Sequence, residues 1–90
     1  MAMAKYDFEG MREQAGKVMR GASDLTTLVK TIDSAVTDMA SAWNDPAQKK
    51  FEQQWTEMSA KLKEYAPVIE EYGKAVNAHA DKVEQAGSGI

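Results

Sequence analysis

A chain of 90 residues with one histidine and no cysteine has few ways to do chemistry. Thiolate nucleophiles, disulfides and cysteine-held metals are excluded outright. His79 is the sole imidazole, and neither a second histidine nor a Glu-x-x-His spacing accompanies it, the set with which helical bundles hold metals. It lies on an apolar seam and reads as a partly buried structural histidine. Glu70-Glu71 and Lys49-Lys50 belong to solvated faces, and the six methionines read as core fillers. No catalytic, cofactor-binding or metal-binding residue is expected, and no cofactor.

Charge excludes another class. The net charge is −3 and Lys49-Lys50 is the longest basic run, so nothing resembles the footprint of a nucleic-acid binder. Hydrophobic residues at 43% and charged residues at 28% give a chain that should fold, yet one this short buries only about 60% of its unfolded surface alone, so a partner would help. The stretch Met1 to Phe8 lacks the apolar core of a signal peptide, and no segment nears the roughly 18 apolar residues of a membrane span. The expectation is synthesis in the cytoplasm without stable membrane insertion. Any export must then use a route that reads no cleavable signal.

The elements that would position these residues follow from periodicity. From Phe8 to Trp43, through Val18, Leu25 and Ile32, every third then fourth residue is apolar, and Phe51 to Val83 repeats the pattern through Trp55, Leu62, Tyr65, Ile69 and Tyr72, broken only by His79. A 3,4 alternation averages 3.5 residues per turn, the seam of a left-handed coiled coil. Between the seams lies the one sharp stop, where Asp45 can cap, Pro46 suits the first helical position and Gln48 takes the capping-box position. The sequence thus predicts an all-α fold in one domain, 1–90: helix one over about 7–40, a turn over 41–46, helix two over about 46–86 and a frayed tail over 87–90. Two such helices pack as an antiparallel hairpin. Pro67, opposite the seam, should kink helix two without breaking it. Gly10, Gly16 and Gly21 leave fraying and close helix approach both open for helix one.

A second stripe widens the apolar surface. Gly21, Leu28, Ala35 and Ala42 run beside the first seam at seven-residue steps, and Ser59, Ala66, Gly73 and Ala80 run beside the second. Small residues at heptad flanks let helices approach, which predicts that these eight form the dimer or partner face of a four-helix bundle made by two hairpins. Trp43, in the turn with Asn44, Asp45 and Pro46, is large enough to cover the hairpin's end and still present an edge to something else. Plug and recognition surface are both open to it.

Trp43-Asn44-Asp45-Pro46-Ala47, followed by Phe51 and Gln53-Gln54-Trp55, on two heptad helices in a chain of this length, resembles the WXG family. Its members are the early-secreted-antigen-like helical hairpins of type VII secretion, and the resemblance spans essentially the whole chain. Asp45 stands where the family motif has glycine. The Tyr-x-x-x-Asp/Glu pair that members or their partners carry past helix two is missing, because Tyr65 is followed four residues on by Ile69 and Tyr72 by Val76. The resemblance implies a homodimer or a pair with a related hairpin, recognised by a membrane-bound ATPase translocase or serving as adaptor for a larger effector. Trp43 would supply half of a composite recognition surface. Two other readings compete: an intracellular scaffold or chaperone hairpin that masks a partner's helical face and is not exported, and a membrane-surface helix. The second is disfavoured because acids are as frequent as lysines on the polar faces.

Overall fold

The computed structural model of the chain describes residues 6–88, and among them the only regular elements are two helices, α1 (Phe8–Ala42) and α2 (Pro46–Ser88). Thirty-five and 43 residues at 1.5 Å rise give rods of about 52 and 64 Å, and the molecule measures 68 × 20 × 17 Å. The fold is an antiparallel two-helix hairpin. Asp7 caps α1 by accepting from the Gly10 N–H at 2.9 Å. The turn is shorter than expected, with only residues 43–45 outside the helices, and α2 continues through Gly87 and Ser88 where a frayed tail was predicted. Residues 89–90 of that tail lie outside the described residues. α2 also runs on through Pro67.

The phase of α2 differs from the expectation. The centre of the hairpin is occupied by Ala15, Ala22 and Val29 of α1 against Ser59, Ala66, Gly73 and Ala80 of α2, all buried. Trp55, Leu62, Ile69, Val76 and Val83 are half-buried beside them, as seam residues should be. The aromatic row Phe51, Met58, Tyr65, Tyr72 and His79, which the alternation also admits, is exposed. Close approach explains the choice. Helices separated by small side chains approach toward the lower end of the 8–10 Å range, which shortens every van der Waals contact between them. Gly73 shows how tight this is: a Cβ there would stand 2.6 Å from Met19 Cγ and 3.0 Å from the Ala15 carbonyl oxygen. The close approach thus falls at Gly73, whereas a Cβ at Gly21 would meet nothing within 4 Å.

Two polar clamps fix the register. Arg12 donates to Asp81 Oδ1 at 2.7 Å and to Glu84 Oε1 at 3.0 Å at the open end. Asp33 accepts from the Trp55 indole at 2.6 Å and faces Lys63 Nζ at 3.4 Å nearer the turn. Asn77 Oδ1 is buried in the open half without a hydrogen-bond partner among the described residues.

Candidate functional site

The turn is built from two caps sharing three residues. α1 ends where Trp43 leaves the helical region at φ −154° and ψ 118°, its N–H still donating to the Met39 carbonyl at 2.9 Å. α2 starts where Asp45 Oδ1 accepts from the Gln48 N–H at 2.9 Å, leaving Pro46 at the position that needs no donor. The Asp45 carboxyl is held below the ordinary carboxylate range, first by that Gln48 N–H, then by the Trp43 side chain, with the Ala47 N–H adding to both. Gln48 does not close a capping box: its buried amide points forward and donates to Glu52 at 2.9 Å. Asn44 is exposed between the caps.

Trp43 is 38% exposed at the tip of the rod, with its ring 6.0 Å from that of Phe51. Phe51 opens the exposed row, and the tip is therefore continuous with one long apolar face. On α2 that face carries Phe51, Met58, Tyr65 and Tyr72, each more than half exposed. On α1 it carries Leu28 and Met39, with Met11, Val18, Leu25 and Ile32 half-buried at its inner edge. The two helices contribute to the same side, since Met11 and Val18 share a groove of about 520 Å³ with Tyr72 and Val76. The opposite side has a groove of about 690 Å³ in which the polar Thr26, Lys30, Lys63 and Glu70 alternate with the apolar Met19, Val29, Leu62 and Pro67. In the larger groove the hydroxyls of Thr26 and Thr27 donate to the carbonyls of Ala22 and Ser23 one turn back. Among the described residues no three His, Cys, Asp or Glu side chains cluster as metal ligands.

The eight residues expected at a partner face separate into two sets. Gly21, Leu28, Ala35 and Ala42 are exposed on α1, flanking the apolar face. Ser59, Ala66, Gly73 and Ala80 are not available to a partner, because they are buried inside the hairpin against α1. The expectation is corrected for those four. The neighbouring aromatic row, one helical position back and read from the sequence as core, is exposed instead. The clamp residues Arg12, Asp33, Asp81 and Glu84 were missed, since pairs 22, 69 and 72 residues apart leave no local pattern.

Surface area measures how much is left uncovered. The chain exposes 7019 Å², whereas a compact monomer of 9.9 kDa would expose roughly 5,200 Å². No helix is long and apolar enough to cross a membrane among the described residues.

This chain is similar over 94% of its length to the type VII secretion system extracellular protein A of Staphylococcus aureus (strain USA300), at 27% identity over 85 residues covering 88% of that protein. In fold it is similar to the secreted protein EsxB of Bacillus anthracis str. Sterne. The selenomethionine crystal structure superposes with a TM-score of 0.81 at 20% identity, over 97% of this chain and 99% of that one. The wild-type crystal structure in space group P21 gives 0.77 at 21% identity, over 91% and 94% of the two chains. A family model described as proteins of 100 residues with WXG matches residues 3–88, and by that match, over a hairpin whose turn carries Trp43, the chain belongs to the WXG100 family.

Proposed function

We propose that this protein is a non-catalytic hairpin that pairs through its exposed apolar face and is handled as a secreted substrate or adaptor by a type VII-like system. The observation that carries the reading is the face itself. Tyr65 and Tyr72, at 55% and 64% exposure, lie on a rod already holding its own helices together by other residues. A contiguous apolar strip of this kind on a soluble chain marks an interaction surface. A pair of such hairpins side by side forms a four-helix bundle, burying the strip in its core.

Trp43 and the capped turn are the proposed handle for a translocase ATPase. An indole at the tip, partly exposed and backed by Phe51, can give a recognition surface its largest apolar contact while contributing little to the hairpin core. The test compares Trp43→Ala with Trp55→Ala in the native host, measuring melting temperature and the amount of protein in the culture supernatant. Trp43→Ala should abolish export while melting within a few degrees of the parent. Equal loss of export and of thermal stability in Trp43→Ala would assign Trp43 to the core instead. Retention of the unaltered protein in the cytosol, paired with another helical protein, would favour the scaffold reading.

A further inference from the structure

The side of the hairpin away from the apolar face carries the larger groove, and charge is divided along its length. Lys30 and Lys63 stand at one level of it, for Lys30 is eighteen residues after Arg12, Lys63 is eighteen before Asp81, and Arg12 bonds Asp81 directly. With Asp33, which faces Lys63 at 3.4 Å, they leave one positive charge in excess, and Lys30 has no ion-pair partner among the described residues. Seven residues farther along α2, Glu70 and Glu71 share Lys74 at 3.2 and 3.9 Å, which leaves one negative charge in excess. The two centres are about 10 Å apart along the axis, two turns of helix.

Between the two charges the groove is apolar below and already satisfied above. Its floor is Ala22, Val29 and Ala66, all buried, and Met19 and Leu62 stand half-buried in its walls. The Thr26 and Thr27 hydroxyls donate to carbonyls one turn back, so an apolar surface laid over them strands no donor. Pro67 does the reverse for an acceptor. It has no N–H to give the Lys63 carbonyl one turn back, and both residues line the groove, so its wall offers an oxygen that lacks the ordinary helical donor.

We propose that this groove takes one amphipathic helix of another protein, laid along the rod as a third helix, with a carboxylate level with Lys30 and, two turns on, an arginine level with Glu70. The arginine donates to the Glu70 carboxylate and, with its remaining N–H groups, to the Lys63 carbonyl that Pro67 leaves short. Large apolar residues between the two charges cover Met19, Val29 and Leu62. Ser23, Thr26 and Ala66 are small enough to let the third backbone come near. A helix suits the groove because residues three, four and seven apart share one of its faces, the spacing at which the two charges and the apolar floor are set out. The order of the charges sets the direction in which the partner runs, and a helix with two like charges is turned away. The groove lies opposite Tyr65 and Tyr72, so this site does not depend on the pairing proposed above.

The test uses the full chain and a fluorescently labelled helical peptide of about five turns, carrying glutamate and arginine seven residues apart with leucines between them, read by anisotropy. Binding should saturate, and Lys30→Glu should raise the dissociation constant about tenfold. A second peptide with arginine at both charged positions should reverse the order, binding Lys30→Glu more tightly than the parent chain. Thr26→Trp, which fills the groove, should abolish binding of the first peptide, whereas Tyr65→Glu on the opposite face should leave it unchanged. Failure of the first peptide to bind the unaltered chain would overturn the proposal, as would equal binding of both peptides by the parent and Lys30→Glu chains. Loss of binding in Tyr65→Glu with none in Thr26→Trp would put the peptide on the apolar face and overturn it as well. Loss of self-association in Thr26→Trp would give the groove to a second copy of this chain, again against the proposal.

Discussion

The indole N–H of Trp55 donates to Asp33 Oδ1 at 2.6 Å, and the other oxygen of that carboxylate faces Lys63 at 3.4 Å. One acidic residue on α1 thereby holds two residues of α2 a little over two turns apart. A short hydrogen bond to a charged acceptor, partly shielded by the indole, is a stronger tie than the exposed ion pair beside it.

Trp55 and Asp33 should therefore couple. Trp55→Phe and Asp33→Ala are each expected to cost about 1–2 kcal/mol, and the double variant about 1 kcal/mol less than their sum. Chemical denaturation of the four proteins measures this, and strict additivity would mean that the bond contributes nothing to folding.

Two glycines should respond oppositely to alanine. At Gly73 the added Cβ meets Met19 and the Ala15 carbonyl oxygen, so Gly73→Ala should lose about 1–3 kcal/mol despite alanine's better helix propensity. At Gly16 the nearest atom to a Cβ is Arg20 Nη1 at 3.5 Å, so Gly16→Ala should gain up to about 1 kcal/mol. Thermal melts of the pair check the signs. Stabilisation by both would show that the helices are not closely packed at Gly73.

Asn77 carries a buried Oδ1 with no partner among the described residues, and an apolar side chain of similar shape removes that desolvation cost. Asn77→Leu is expected to stabilise the hairpin by about 1 kcal/mol. A loss of stability on denaturant titration would contradict this.

The Asp45 cap sets an acid limit. Its carboxyl titrates below its unfolded value, so the stability it adds is present above that value, roughly pH 4, and lost as pH falls through the lower folded value. Asp45→Asn keeps a capping side chain but cannot titrate. Its stability measured from pH 5 to pH 2 should fall less steeply than that of the parent, and parallel curves would assign the acid loss to other groups.

The parts of this fold that are local are legible in the sequence. Asp45-Pro46 announces the start of α2 because a cap and a missing donor act within one turn of helix. The 3,4 alternation announces two long helices. It does not announce their phase, because on α2 the row containing Tyr65 and the row containing Ala66 are adjacent, and each alternates by three and four with the Leu62 row, interrupted by His79 in the one and by Ser59 in the other. Choosing between them depends on how near the other helix comes, which is decided by Gly73 meeting Met19 across the hairpin. For this one reason four of the residues expected to be exposed, Ser59, Ala66, Gly73 and Ala80, lie inside the hairpin, and the tyrosines read as core are exposed.

The mass of the protein in solution tests the central claim most directly. Sedimentation equilibrium on the unaltered chain should give twice the 9.9 kDa of one copy. Tyr65→Glu, which places a charge on the exposed row without touching the hairpin core, should give one copy with its helical circular dichroism retained. A single-copy mass for the unaltered chain, with full helicity and a cooperative melt, would contradict the account, because the apolar face would then stand in water with nothing to cover it.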